Sequence, residues 1–407
     1  MLNYICTCCG RKTPVTTREP TCSCGGLFEL DFTPPKWDDA KIDRKEWSIF
    51  RYREFMALDG DAWRGVSLGE GLTPTVEMKP GMFVKVDYAM PTLSFKDRGA
   101  AGLVSHMKSI GVAECVQDSS GNAGNSVAAY CARAGIKCEI YVPEGTSPKK
   151  IAMIESHGAK VHVIPGSRDH CADVCRARVK DEGVYYANHV VNPFFYEGMK
   201  AYIYEVYEQL GRIPEHVVLP VGNGTLFIGA VKALEHLHAS GAIQRFPKIV
   251  ALQSEYCDPL YQARKEGKDD PVSVDVKPTI AEGIAIGKPL RGHEILDMMK
   301  RHDITVCLLY TSPRTRSSPR ALRWLARATT SSTRRPPTSP PGIAIASSTD
   351  RRPMSSSRSA EPESSRITDS LSSVLSEHFE ARYFSAVCAQ RRPGFLRLPG
   401  HGRRAAG

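Results

Sequence analysis

Between about residues 96 and 300 the chain repeats one pattern. Short apolar, β-branched runs at 139–142, 160–164, 217–221 and 249–252 alternate with longer stretches at 125–133, 149–156, 197–210 and 226–238. In the longer stretches apolar residues recur at helical spacing. Gly111, Gly135, Gly158 and Gly211 stand where those helices should end. Continuous apolar strands separated by helices predict parallel sheets covered by helices. Strand-like segments also lie at 82–86, after a Gly/Pro-punctuated stretch at 69–80, and at 114–117. Residues 1–30 lack apolar periodicity, and after Cys307 the rhythm stops.

At 407 residues the chain is long enough for two or three domains with their own cores. No run of eighteen apolar residues occurs, so no membrane span is expected. The N-terminus lacks a basic segment followed by an apolar one and a cleavage site. Thirteen cysteines, an odd number with five before residue 25, do not form a secreted disulfide framework, and a cytoplasmic protein is expected. The net charge of +10 matters by its location: residues 308–407 carry 17 Arg, no Lys and six acidic residues, whereas 1–307 has a net charge of −1. Such a Ser/Arg/Pro-rich segment reads either as a disordered basic tail or as the product of a frame shift or chimeric join near Leu308. The abrupt loss of lysine, after 21 Lys before residue 308, favours the second.

Three segments in the rhythmic region carry chemistry. In 91–99 (P-T-L-S-F-K-D-R-G), Lys96 follows Phe95 and opens a predicted helix beside a strand. An amine there is partly desolvated and shifted towards the neutral form that attacks an aldehyde. In 118–125 (D-S-S-G-N-A-G-N) and 220–226 (P-V-G-N-G-T-L), a Gly-containing turn leads into a helix. Such turns offer free backbone N–H groups to an anion, aided by the helix dipole. Position 227 is Phe, so the second is not the dinucleotide fingerprint. Alone, each has an ordinary structural explanation: a solvated surface lysine, an N-capped turn, a tight loop. Together they are far more specific.

The three together, Ser94–Gly99, Ser119–Asn122 and Gly222–Thr225, resemble the fold-type II pyridoxal-phosphate (PLP) enzymes, which include threonine synthases, threonine dehydratases and cysteine synthases. Gly69-Glu70-Gly71-Leu72-Thr73-Pro74 and Asn192-Pro193-Phe194 with Glu197-Gly198 resemble segments of the threonine-synthase group. The likeness covers roughly residues 65–305. It implies two parallel-sheet α/β domains and PLP held by Lys96. Asn122 would face the cofactor's phenolic oxygen, and Gly222, Asn223, Gly224 and Thr225 its phosphate. Ser119, Ser120 and Gly121 would receive the substrate carboxylate, and Glu282, within Ala281-Glu282-Gly283, would border the ring. The implied reaction removes protons from Cα and Cβ of O-phosphohomoserine, eliminates phosphate from Cγ and adds water at Cβ, with the Lys96 amine as base and acid. Asp97 and Arg98 are read as structural. Leu93 stands where the family has Gly, and the hydroxyl segment that contacts the pyridine nitrogen has no clear counterpart after residue 307; Thr338-Ser339 is a poor one.

Cys6-x-x-Cys9 and Cys22-x-Cys24 place two thiol pairs on short turns, a pattern suited to structural zinc, with Cys8 as a substitute for Cys9 and free thiols as the plain alternative. Some threonine synthases begin with a similar ribbon. The expected organisation is a zinc-ribbon-like segment at 1–32 and a large domain at 33–98 and 189–307, interrupted by a small α/β domain at 99–188, then a disordered, anomalous tail at 308–407. The expected partner is a small amino-acid substrate, without nucleic acid or membrane, in a homodimer. Competing readings are a threonine or serine dehydratase, a cysteate-synthase-like lyase, a PLP fold that no longer catalyses, and a zinc-ribbon nucleic-acid-binding protein with a basic tail.

Overall fold

Short strands whose pairing no local periodicity announces begin the chain: β1 (Asn3–Cys6), β2 (Lys12–Pro14) and β3 (Phe28–Leu30) form an antiparallel sheet in the order β2-β1-β3. This computed structural model describes residues 2–58, 60–279 and 281–309, and the backbone of 386–388. The tail expected at 308–407, with Thr338 and Ser339, therefore lies outside the described residues apart from those few positions. Tyr4 stacks on Phe28 at 4.9 Å and meets Phe194 edge-on, so the ribbon shares a small core with the body.

Next come β4 (Thr75–Lys79) and β5 (Met82–Lys85), an antiparallel hairpin, and the helix α1 (Lys96–Ser109). A purely parallel unit follows: β6 (Glu114–Gln117), α2 (Asn122–Ala134), β7 (Lys137–Pro143), α3 (Pro148–Glu155), β8 (Lys160–Ile164), α4 (Arg168–Glu182) and β9 (Tyr185–Tyr186). Its sheet runs in the order β8-β7-β6-β9. The remaining elements are α5 (Phe194–Leu210), β10 (His216–Pro220), α6 (Thr225–Ala239), β11 (Lys248–Ser254), α7 (Pro259–Glu266), α8 (Gly292–Arg301), β12 (Thr305–Leu309) and β13 (Ala386–Cys388).

The larger sheet has the order β12-β11-β10-β13-β5-β4. It is mixed rather than parallel throughout, as the helical rhythm alone predicts. Strands β10, β11 and β12 are parallel because helices connect them, whereas the tight turn at Gly81 (φ +77°) returns β5 antiparallel along β4. The backbone of β13 pairs antiparallel with both neighbours.

Helix α1 is buried from Asp97 to Met107 and lies against α5. Their backbones nearly touch: a Cβ on Gly198 would lie 1.8 Å from the Arg98 carbonyl oxygen, and one on Gly99 2.3 Å from the Phe195 ring. This close crossing sets the start of α1 beside Phe195. Asp97 fixes it from the other side, accepting from the Thr92 amide at 2.7 Å and from the Thr92 and Ser126 hydroxyls at 2.5 Å each. Arg98 is fully buried on Glu205 (2.6 and 2.8 Å) and Asp87 (2.9 and 3.1 Å), with Lys85 completing a charge-balanced group at 2.8 Å from Glu205. Both residues hold the helix, as the sequence reading has it.

Candidate active site

The Gly69–Pro74 stretch is structural at its centre. Glu70 is buried and accepts from the Leu68 amide (2.9 Å), the Ser67 hydroxyl and the Tyr130 hydroxyl (3.1 Å). Burial pushes its pKa up to about 7. It joins the segment before α1 to α2.

Lys96 is the first residue of α1. Its Nζ donates to Thr225 Oγ1 at 2.8 Å and lies 4.7 Å from the Phe95 ring centre and 5.7 Å from that of Phe195. Loss of hydration in this apolar setting lowers the amine pKa to about 7, so a substantial neutral fraction exists near neutral pH.

Thr225 opens α6, and the first backbone bond of that helix runs from the Ile228 amide to the Gly224 carbonyl at 2.8 Å. The amides of Thr225, Leu226 and Phe227 are therefore uncommitted within the helix. Gly224 adopts φ +78°, and a Cβ there would strike Ile295; one on Gly222 would lie 2.9 Å from Ile284 Cα. Gly222, Asn223 and Gly224 thus form a turn closed tightly over the start of α6, next to Lys96.

At the start of α2, Asn122 is the first helical residue and Gly121 the extended cap. The helix begins earlier than apolar spacing predicts, because the polar Ser-Ser-Gly-Asn turn leads directly into it. Ser119 folds back over the helix: a Cβ on Gly124 would lie 1.9 Å from its carbonyl oxygen. Asp118, just before, accepts from Asn188 Nδ2 (2.7 Å) and the Tyr186 hydroxyl (3.0 Å). Ser119, Ser120 and Gly121 are each half-buried beside these anchors.

Glu282 belongs to the segment packed on Gly222, but its carboxylate is exposed and takes a 3.1 Å bond from Lys150 on α3. His189, which no sequence pattern singles out, is buried in the same region; its ring lies 5.7 Å from that of Phe195. Burial, with Lys96 and Arg168 adding, drives its pKa well below the ordinary histidine value.

In the ribbon, Cys6, Cys9, Cys22 and Cys24 bring their sulfurs within 4.8 Å of one another, with Cys6–Cys24 at 3.5 Å and Cys9–Cys22 at 3.7 Å. Tetrahedral zinc–thiolate geometry needs sulfurs about 3.8 Å apart. The amides of Cys9 (3.5 Å) and Cys8 (3.4 Å) point at Cys6 Sγ and draw its thiol pKa down to about 6. Cys8 itself stays outside the cluster.

Residues 66–328 match the family described as pyridoxal-phosphate dependent enzyme. The match runs past the change of composition at residue 308. The chain is 33% identical to the threonine synthase of Methanocaldococcus jannaschii over 306 residues, covering 72% of this chain and 75% of that protein. It is 34% identical over 249 residues to the threonine synthase of Mycobacterium leprae, covering 59% and 67% respectively. Among solved structures, the processed form of threonine deaminase isoform 2 from Solanum lycopersicum superposes with a TM-score of 0.53 at 18% identity, covering 73% of this chain and 74% of that one. That likeness bears on the fold alone, and the fold is the fold-type II arrangement expected above.

Proposed function

The chain belongs to the pyridoxal-phosphate dependent enzymes and, within them, to the threonine synthases, and from that membership we propose how its site works. It is a carbon–oxygen lyase that converts O-phospho-L-homoserine and water to L-threonine and phosphate, with PLP as cofactor.

The donor set fits PLP: a lysine amine shifted towards neutrality beside a glycine turn that no larger residues could form, at a helix N-terminus with free amides. Lys96 would take the aldehyde, and Gly222, Asn223, Gly224 and Thr225 the phosphate. Asn122 would face the ring oxygen. When bound, the cofactor supplies an electron sink that makes the substrate's Cα proton removable. Lys96 moves protons at Cα, Cβ and Cγ once its amine is released, a role for which a pKa near the working pH is suited. Ser119, Ser120 and Gly121 orient the substrate carboxylate through the amides of their turn. Asp118, anchored on Asn188 and Tyr186, keeps that turn in place. Glu282 acts at the edge of the site, where its pairing with Lys150 joins the two α/β units.

The observation that carries this arrangement is the 2.8 Å bond from Lys96 to the first residue of the glycine-turn helix. Release of phosphate with equal formation of threonine from O-phosphohomoserine, lost in Lys96→Ala, tests it. Conversion of threonine to 2-oxobutyrate without that activity would overturn it in favour of a dehydratase.

The proposal also includes structural zinc on Cys6, Cys9, Cys22 and Cys24, supported by their spacing. It places the enzyme in the cytoplasm as a homodimer, with no role for nucleic acid. Among the described residues no helix is long and apolar enough to cross a membrane.

A further inference from the structure

His189 has no part in the arrangement above, yet it is buried beside Lys96. Its Nδ1 has no hydrogen-bond partner among the described residues, and the residue is only 5% exposed. Its ring and the Lys96 amine flank the same phenyl group, each 5.7 Å from the centre of Phe195. Its backbone position is fixed relative to the Ser119 turn: neighbouring Asn188 donates to Asp118 at 2.7 Å and accepts from the Val190 amide at 2.8 Å. Native interiors rarely leave a buried ring nitrogen unpaired without a use.

The chemistry of the site supplies one. Burial and the nearby charges of Lys96 and Arg168 keep the imidazole neutral, so it presents one donor and one acceptor nitrogen. Water that adds to a carbon must be held by an acceptor; the Arg168 guanidinium offers none, and the Lys96 amine is committed to proton transfer at the substrate carbons. The Thr225 hydroxyl already receives the Lys96 amine. We propose that His189 is a positioning residue that holds, through a ring nitrogen, the water that adds at the substrate's β-carbon. This rests on the threonine synthase reading. In that step a C–O bond forms at Cβ and an O–H bond of water breaks, its proton passing through the Lys96 amine back to Cα, after the Cγ–O bond has broken with its electron pair leaving on phosphate and Cγ has taken up a proton. The sum is O-phosphohomoserine plus water giving threonine plus phosphate. If water is misplaced after elimination, the same carbon skeleton is released and hydrolysed to 2-oxobutyrate and ammonia.

The test uses PLP-loaded enzyme, O-phosphohomoserine, and parallel assays of phosphate, threonine and 2-oxobutyrate. The parent should form threonine and phosphate in equal amounts. His189→Leu should keep the cofactor absorbance and still release phosphate, while threonine per phosphate falls about tenfold, the loss of one positioned hydrogen bond, and 2-oxobutyrate makes up the difference. His189→Asn, which retains a polar atom near the Nδ1 position, should recover much of the ratio. If His189→Leu loses the cofactor absorbance, His189→Gln and His189→Phe carry the same comparison. A product ratio unchanged from the parent in variants with normal absorbance overturns the role of His189. Failure of the parent to release phosphate from O-phosphohomoserine overturns the reading beneath it.

Discussion

Thr225 Oγ1 receives the Lys96 amine at 2.8 Å, so the first residue of one helix holds the first side chain of another. Thr225→Val removes that acceptor while keeping shape. It is expected to weaken PLP binding about tenfold, and Thr225→Ser to restore most of it, as read by cofactor absorbance in a titration. The amine's lowered pKa sets the pH dependence. Its neutral form predominates above about 7 rather than above the ordinary 10.5, so capture of added PLP by cofactor-free protein should rise through pH 7 and then level off. A rate still climbing steeply at pH 9 would contradict the desolvated setting of Lys96.

Leu93 adopts φ +60° and is 56% exposed, in a turn where its own amide donates to the Met90 carbonyl at 2.9 Å. A left-handed backbone costs a side-chain-bearing residue about 1–2 kcal/mol, which explains why the family resemblance has Gly here. Leu93→Gly removes that cost but gains chain entropy in the unfolded state, leaving a net stabilisation of roughly 0.5–1 kcal/mol. Leu93→Ala keeps the strain and should give no gain. Urea denaturation of the two variants separates these outcomes.

Glu70 makes stability depend on pH in the opposite sense to a salt-bridged carboxylate. Burial raises its pKa from 4.5 to about 7, so folding favours the protonated form. Stability is complete below about 4.5 and is lost as pH rises from there through 7, by roughly 3 kcal/mol in all. Glu70→Gln stays neutral and can still accept from Leu68 and Tyr130 while donating to Ser67. It should match the parent near pH 5 and exceed it at pH 8 in chemical denaturation.

What the sequence reveals here is what local spacing and turn chemistry encode. The Lys96 segment and the glycine turns at 119–125 and 222–225 are contiguous, so their residue types can be read together. The strands β7, β10 and β11 announce themselves because buried parallel strands are largely apolar, whereas β8, an edge strand with no fully buried residue, shows only through its β-branched residues. Helix α4 is hidden because it buries only Cys171 and Cys175, one turn apart, leaving no apolar stripe. The pairing of β4 with β5 depends on a turn rather than on periodicity, and hence the sheet is mixed. His189 reaches Phe195 through tertiary packing, and nothing in Asn188-His189-Val190 marks it. Glu282 lies in the expected segment, but which way its carboxylate faces depends on Lys150, more than a hundred residues away.

The ribbon's bearing on the active site runs through Arg291. This fully buried guanidinium donates to the ribbon at Phe28 O (2.8 Å) and Glu29 (2.9 Å). It also donates to Val190 O (2.7 Å) and Val191 O (3.0 Å), immediately after His189. Unfolding of the ribbon would strip Arg291 of two of its five acceptors and leave Glu294, at 2.8 Å, as its one carboxylate partner, a loss on the order of 2–3 kcal/mol. Cys9→Ser, which deletes one sulfur of the four-thiol cluster, should therefore abolish bound zinc and lower the chemical-denaturation stability of the body as well as the ribbon. Arg291→Met removes the buried charge together with its contacts, so it should cost less and leave zinc bound. Zinc content measured with denaturation midpoints distinguishes the two. If Cys9→Ser loses zinc yet unfolds with the parent's midpoint, the ribbon is an appendage and Arg291 does not link it to the site.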